Sequence, residues 1–225
     1  MELKIAILAS GNGTNAAAII EKSQQGILKA EVSIIICNNK DAGIISLAEK
    51  LKTPCTVIEH RNFSDRKSHD AVIIKCIRKA GCNAIVLAGY MRLLSCIIFR
   101  EFDGPILNIH PALLPAFPGL HGIQDAWDYG VKLAGPTVHF VEEKMDSGPV
   151  IIQAATIARD NETLESLEKR IHRLEHRIYP QALQWLAEDR LKINGRKVEL
   201  APKNVELAQA DDSEAFIWPP LEQGF

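Results

Sequence analysis

The sequence is short of several things, and each shortage closes a possibility. No apolar run approaches the ~18 residues needed to cross a bilayer as a helix. The opening stretch "LKIAILAS" is too brief for a secretory core and passes directly into "GNGTN", so neither a membrane anchor nor an export signal is expected. Charge of one sign is not in excess: 26 Lys and Arg stand against 28 Asp and Glu, a net charge of -2. That balance leaves no footprint for nucleic acid or for an anionic membrane. The five cysteines, Cys37, Cys55, Cys76, Cys82 and Cys96, are odd in number, lack any C-x-x-C pair and sit mostly in apolar segments. This suits small buried thiols of a cytoplasmic protein rather than a disulfide framework. Internal repeats and interdomain linkers are also missing.

What is present is a core. With 225 residues and 47% hydrophobic composition, the chain is long enough for one substantial domain. That domain is expected over residues 1–200, and the polar, proline-punctuated segment 201–225 reads as a loosely held tail. Through the first half, short apolar runs ("KIAIL", "VSIIIC", "CTVI", "AIVLA", "PILNIH") alternate with helix-like segments, among them Thr14 to Gly26 and Asp65 to Ala80. Strands that are apolar throughout, rather than alternating, are buried on both faces. The pattern therefore predicts an α/β, Rossmann-like fold with a mostly parallel sheet and helices on both faces.

The C-terminal half differs. "GPTVHFV" and "GPVIIQAATI", joined by "EEKMDS", read as antiparallel additions to the sheet. From about Glu162 to Asp189, Leu164, Leu167, Ile171, Leu174 and Ile178 form one apolar helical stripe. Asp160 or Asn161 is the expected cap, and Pro180 an expected kink. Beyond it, "LKI" and "KVEL" flank Asn194-Gly195, the signature of a type I′ hairpin.

Three places carry chemistry. In "LNIHPALLPAFPG" the alternation of a strand puts Asn108 and His110 on one face, roughly 6.6 Å apart, at the carboxyl end before Pro111 stops the ladder. Ligands of open α/β sheets bind beyond that end. An amide donor beside an ionisable imidazole there can address a substrate carbonyl, although a buried pair satisfied by loop backbone would look the same.

Second, "ASGNGTNAAAI" follows the first strand. Gly11 and Gly13 allow a sharp turn and close approach of a ligand, the helix that follows offers amides to an anion, and Thr14 and Asn15 add side-chain donors. The run also satisfies G-x-G-x-x-A, but the second strand ends in "CNNK", without the acid that would hold a dinucleotide's ribose. One phosphate is the better reading.

Third, Asp146 in "EEKMDSGPV" is ordinary turn chemistry, yet near His110 its carboxylate would favour the charged imidazole. Spacing alone does not bring the two together. His172 and His176 stand at i and i+4 with no third ligand evident, and with Glu175 they read as a solvated helix face.

Taken together, "GNGTN", "LAGYMRLLS", "NIHPALLPAFPG", "GPTVHFV" with "MDSGPVIIQ", and "LEHRIYP" resemble the phosphoribosylglycinamide formyltransferases, folate-dependent enzymes of purine biosynthesis. The resemblance runs from about Lys4 to Leu191. It implies transfer of the formyl group of 10-formyltetrahydrofolate to the amine of glycinamide ribonucleotide, without a metal. By the family pattern Asn108, His110 and Asp146 form the catalytic set, and Gly13, Thr14 and Asn15 hold the substrate phosphate. Glu175 would contact the ribonucleotide. Arg66, Met91, Arg92, Leu93, Leu94 and Asn108 would border the folate.

This chain departs from the pattern at Ala112, where Ser is frequent, at Ala116, where a polar or basic residue is common, and at His69, where an aromatic is usual. Two relatives share the Asn-x-His and Asp pattern. A methionyl-tRNA formyltransferase should add a C-terminal barrel and a basic surface, and a formyltetrahydrofolate hydrolase an N-terminal regulatory domain. The expected partners are small molecules, with neither nucleic acid nor membrane, in a cytoplasmic monomer or homodimer.

Overall fold

The computed structural model describes residues 2–208 and 215–225. The chain divides into two compact units, Met1–Asn108 with Val141–Glu143 and Ile109–Phe140 with Lys144–Phe225, where the sequence pattern suggested a domain to residue 200 and a tail beyond. In the first unit the continuous apolar runs become β1 (Leu3–Ala9), β2 (Ala30–Cys37), β3 (Cys55–Val57), β4 (Ala84–Leu87) and the start of β5 (Ile106–His110). Between them lie α1 (Thr14–Gln24), α2 (Ile44–Lys50), α3 (Arg66–Lys79) and α4 (Cys96–Glu101).

The strands pair in parallel in the order β3-β2-β1-β4-β5. Residues such as Ile5, Ile7, Ile35 and Val86 are fully buried, because a sheet covered on both sides leaves no face for polar side chains. One face packs on Ile73 and Ile77 of α3 and Ile98 of α4. Each such isoleucine contributes roughly 1.5–3 kcal/mol relative to exposure. Asp65 caps α3 by accepting from the Ser68 amide at 2.8 Å, so this helix begins where the sequence places it.

The second unit holds α5 (Gly122–Tyr129), β6 (Leu133–Ala134), β7 (Thr137–Phe140), β8 (Val150–Ile157), α6 (Leu164–Ala187), β9 (Leu191–Asn194), β10 (Lys197–Leu200) and β11 (Ala215–Trp218). β6 and β7 run antiparallel to β8. β10 meets β8 in parallel and β9 antiparallel. Two local expectations are corrected. Thr163, not Asp160 or Asn161, caps α6 by accepting from the Ser166 amide, since the helix begins only at Leu164. The β9–β10 hairpin pairs Asn194 with Lys197, so its two loop residues are Gly195 and Arg196. Only Gly195 has positive φ, which is the type II′ requirement rather than that of type I′.

Residues 215–225 are also not the loose tail that composition suggests. β11 pairs antiparallel with β8, Ala215 opposite Thr156 and Trp218 opposite Gln153. The chain then returns to α6, where the Glu222 amide donates to the Gln181 carboxamide oxygen at 2.7 Å. Glu222 in turn accepts from the Trp185 indole N–H at 3.0 Å and from the Arg190 guanidinium at 2.5 Å. This explains why α6, which runs unbroken through Pro180, is buried at every position from Ile178 to Trp185 and not along one stripe.

The same cluster fixes Glu188. Burial opposes its ionisation, but hydrogen bonds from Lys203, Arg190 and Gln184 outweigh burial and hold the carboxyl at about 2, below its usual 4.5. A carboxyl depressed on folding stabilises the folded state above its unfolded value and loses that contribution as pH falls toward the folded one. Urea unfolding of the wild type should therefore weaken as pH drops from 4.5 to about 2, and Glu188→Gln should remove part of that decline. Identical pH slopes in the two proteins would show that the cluster does not carry this linkage.

Candidate active site

In the first unit the chain moves from β1 outward to β2 and β3, then returns to lay β4 and β5 on the other side of β1. The loops leaving β1 and β4 start from neighbouring strands at this reversal, the place where open α/β sheets bind ligands. They are tied to each other: the Ser10 amide donates to the Gly89 carbonyl at 3.1 Å, and Ser10 Oγ accepts from the Met91 amide at 2.9 Å. Gly13 ends the first loop as the N-cap of α1, with φ 79° and no side-chain cap. A Cβ there would lie 2.2 Å from Ile44 Cδ1, so both the left-handed backbone and the close packing require glycine. Thr14 is exposed and Asn15 half-buried at the opening of the helix. α1 thus opens without a side-chain cap on its first amides, as an anion site there would need.

Beside the second loop lies a cavity of about 620 Å³, whose lining includes Arg66 and Lys67 from α3 and Leu93, Leu94, Ser95 and Phe99 from the loop and α4. The structure thus gathers Arg66, Leu93 and Leu94 around one space. Met91 and Arg92 are not in its lining. The buried His69 ring stands edge-on to Phe63 at 5.1 Å.

The second unit brings His110 and Asp146 together. His110 Nδ1 is 3.6 Å from Asp146 Oδ2, with both side chains more than nine-tenths buried. His139 Nε2 approaches the other carboxylate oxygen at 3.7 Å. Each imidazole is oriented by its remaining nitrogen. His110 Nε2–H donates to the Phe117 carbonyl at 2.7 Å, and His139 Nδ1–H donates to the Phe140 carbonyl at 2.7 Å. The Gly119 amide donates to Asp146 at 2.8 Å. These contacts hold Asp146 at φ 49°, a left-handed conformation that Asp tolerates better than most residues. A bulge between Val138 and His139 sets His139 opposite Val150, one residue from regular register, and so re-aims its side chain.

Behind His110, Thr137 Oγ1 donates to the Ala112 carbonyl and accepts from the Leu114 amide, while Gln153 donates to the Leu114 carbonyl. Two imidazoles thus flank one carboxylate inside a rigid frame, an arrangement suited to stabilising a positive ring and passing a proton.

Asn108 lies on the same strand, β5, two residues before His110, and is half-buried. Ala112 is buried beside Gly122, whereas Ala116 is exposed. Glu175 is not on a solvated face: it is buried and accepts a hydrogen bond from His172 Nδ1 at 2.9 Å. That bond raises the His172 pKa above its usual 6.5, against the opposing effect of burial. Among the described residues, no group of three or more His, Cys, Asp or Glu is arranged to hold a metal. Sequence reasoning missed His139, although a histidine inside the apolar run "TVHFV" is the same signal that singled out His110.

Residues 3–183 match the formyl transferase family, and the chain belongs to it. It is similar to the phosphoribosylglycinamide formyltransferase of Bacillus subtilis, with 40% identity over 183 residues, 81% of this chain and 94% of that protein. It is also similar to the trifunctional purine biosynthetic protein adenosine-3 of Bos taurus, 36% identical over 195 residues, 86% of this chain but 19% of that longer protein. Among solved structures, glycinamide ribonucleotide transformylase 1 from Symbiobacterium toebii superposes with a TM-score of 0.87 at 40% identity, covering 89% of this chain and 94% of that one.

Gly122, the first residue of α5, has no left-handed requirement, but a Cβ there would lie 3.0 Å from His110 Nε2 and 3.2 Å from both His110 Cε1 and the Ala112 methyl. Gly122→Ala should therefore turn the His110 ring while sparing the backbone. A loss of formyl-transfer kcat on the order of 10²-fold is expected from displacement of a reacting group, with little change in melting temperature. A variant with wild-type kcat would show that the ring has room to spare.

Proposed function

We propose that this chain transfers the formyl group of 10-formyltetrahydrofolate to the amine of glycinamide ribonucleotide, a step of purine biosynthesis, in the cytoplasm. The observation that carries the reading is the buried His110–Asp146 pair at the end of the strand bearing Asn108, in a chain of the formyl transferase family. Attack of the amine on the formyl carbon makes a C–N bond and a tetrahedral oxyanion. By the family pattern the Asn108 amide and the His110 imidazole would donate to that oxygen, with Asp146 facing the ring from its other nitrogen. Collapse of the intermediate breaks the bond to the folate nitrogen, which leaves with a proton that His110 would supply, and the surplus proton of the attacking nitrogen would pass to the neutral His110 ring left behind. In the present arrangement His110 Nε2–H is engaged by the Phe117 carbonyl. A substrate receives that proton by taking the carbonyl's place.

The remaining roles are those the family pattern implies. Gly13, Thr14 and Asn15, at the amide-rich opening of α1, would hold the phosphate, and Glu175 would contact the ribonucleotide. The cavity beside α3 has the size of a small-ligand site and would take the folate through Arg66, Leu93 and Leu94, with Met91, Arg92 and Asn108 at its border. The free state of all five thiols supports the cytoplasmic setting. The direct experiment is a formyl-transfer assay with both substrates and with each omitted. Folate turnover without the amine would replace this reading with hydrolysis.

Asp146→Asn keeps the size of the side chain, its tolerance of positive φ and an acceptor for the Gly119 amide, and removes only the charge. The kcat should fall by about 10²–10⁴-fold, with the ribonucleotide KM little changed. A kcat near wild type would mean that Asp146 merely shapes the loop.

Because Arg66 lines the cavity and Arg92 does not, Arg66→Ala should raise the donor KM on the order of tenfold, the worth of one charge-assisted hydrogen bond. Arg92→Ala should raise it less. The opposite ranking in steady-state kinetics would move the folate away from α3.

A further inference from the structure

Asp70 sits in α3, one helical turn beyond Arg66, and is 2% exposed. A carboxylate at that depth is stable only when its oxygens are engaged. Oδ2 accepts from the Ser95 backbone amide at 2.6 Å. Oδ1 faces His69 Nδ1 at 3.4 Å, within ion-pair reach when that ring is charged. His69 itself is anchored, since its Nε2 lies 2.9 Å from the Ile58 carbonyl, which can only accept. Ser95 is the N-cap of α4 and its side chain makes no capping bond. The segment before α4 is therefore held at this amide by Asp70. That segment supplies Leu93, Leu94 and Ser95 to the cavity, while the first turn of α3 supplies Arg66 and Lys67. Asp70 joins the two walls from behind and is not itself in the lining.

We propose that Asp70 is a positioning residue of this cavity, locking the 93–95 segment to the first turn of α3 through the Ser95 amide. The inference rests on the cavity being the donor site. If so, losing the bond loosens one wall, and the cost falls on the donor alone.

The test is steady-state kinetics together with calorimetric titration of 10-formyltetrahydrofolate in the absence of ribonucleotide. Asp70→Ala should raise the donor KM and Kd on the order of tenfold. The kcat at saturating donor should stay within about twofold and the ribonucleotide KM should not move, a split that general loosening of the fold would not produce. Ser95→Pro deletes the same bond from the donor side. The double variant should then be no worse than the weaker single one, because both remove one interaction.

Wild-type donor affinity in a folded Asp70→Ala protein, equal losses for both substrates, or additive effects in the double variant would overturn the proposal. If Asp70→Ala does not fold, Ser95→Pro alone decides, and unchanged donor affinity there overturns it. Failure of the wild type to bind the folate at all would instead overturn the assignment of the donor site, so the two failures are distinguishable.

Discussion

Asp146 is a buried carboxylate between two imidazoles, and the second unit is arranged around keeping it there. An isolated buried charge is costly, so each neighbouring element is committed to it: His110 from the end of β5, His139 from a bulged position on β7, and the Gly119 amide from the loop before α5. The strain is local. It lies in the left-handed φ of Asp146 and in Phe117, whose φ is also positive at 51°, and it is offset by the Thr137 and Gln153 bonds that stiffen residues 112–114. Sites that store strain inside an over-determined frame tend to be functional ones. Here the strained residues are the ones that aim the ring nitrogens.

The first unit solves a different problem, how to present backbone rather than charge. Its parallel strands reverse order around β1, and the two loops leaving at the reversal are stitched through Ser10. One offers the amides of α1, and the other borders a cavity with a mixed lining of charged and apolar side chains. Neither feature needs a large electrostatic field, in keeping with a chain whose net charge is only -2.

The C-terminal segment closes the core by polar means. A helix buried on all sides, as α6 is from Ile178 to Trp185, must bond every polar side chain it carries. Gln184 bonds Glu188, Trp185 bonds Glu222 and the Gln181 carboxamide oxygen accepts from the Glu222 amide, while Arg190, just beyond the helix, also reaches Glu222. The outward side of β11 remains open, with Phe216 and Trp218 both exposed.

By itself the sequence determined whatever depends on local periodicity and steric limits. Runs that are apolar throughout had to be buried parallel strands, a 3.6-residue stripe had to be α6, and Asn108 and His110 had to share a strand face. The residues of the site were legible through their types and motif context. Their meeting was not, because the 3.6 Å between His110 and Asp146 spans 36 positions of chain whose path is set by β7–β8 pairing and its bulge. His139, the burial of Glu175, the bond from Ser95 to Asp70 and the return of residues 215–225 onto β8 and α6 were decided by tertiary structure for the same reason. Each is a long-range contact, and a contact far along the chain leaves no periodic trace in the residues that make it. The turn at Gly195 shows the limit at short range. Asn-Gly favours one hairpin type when considered alone, but the pairing of Asn194 with Lys197 makes Asn194 a strand residue and leaves Gly195 the only position that needs a positive φ.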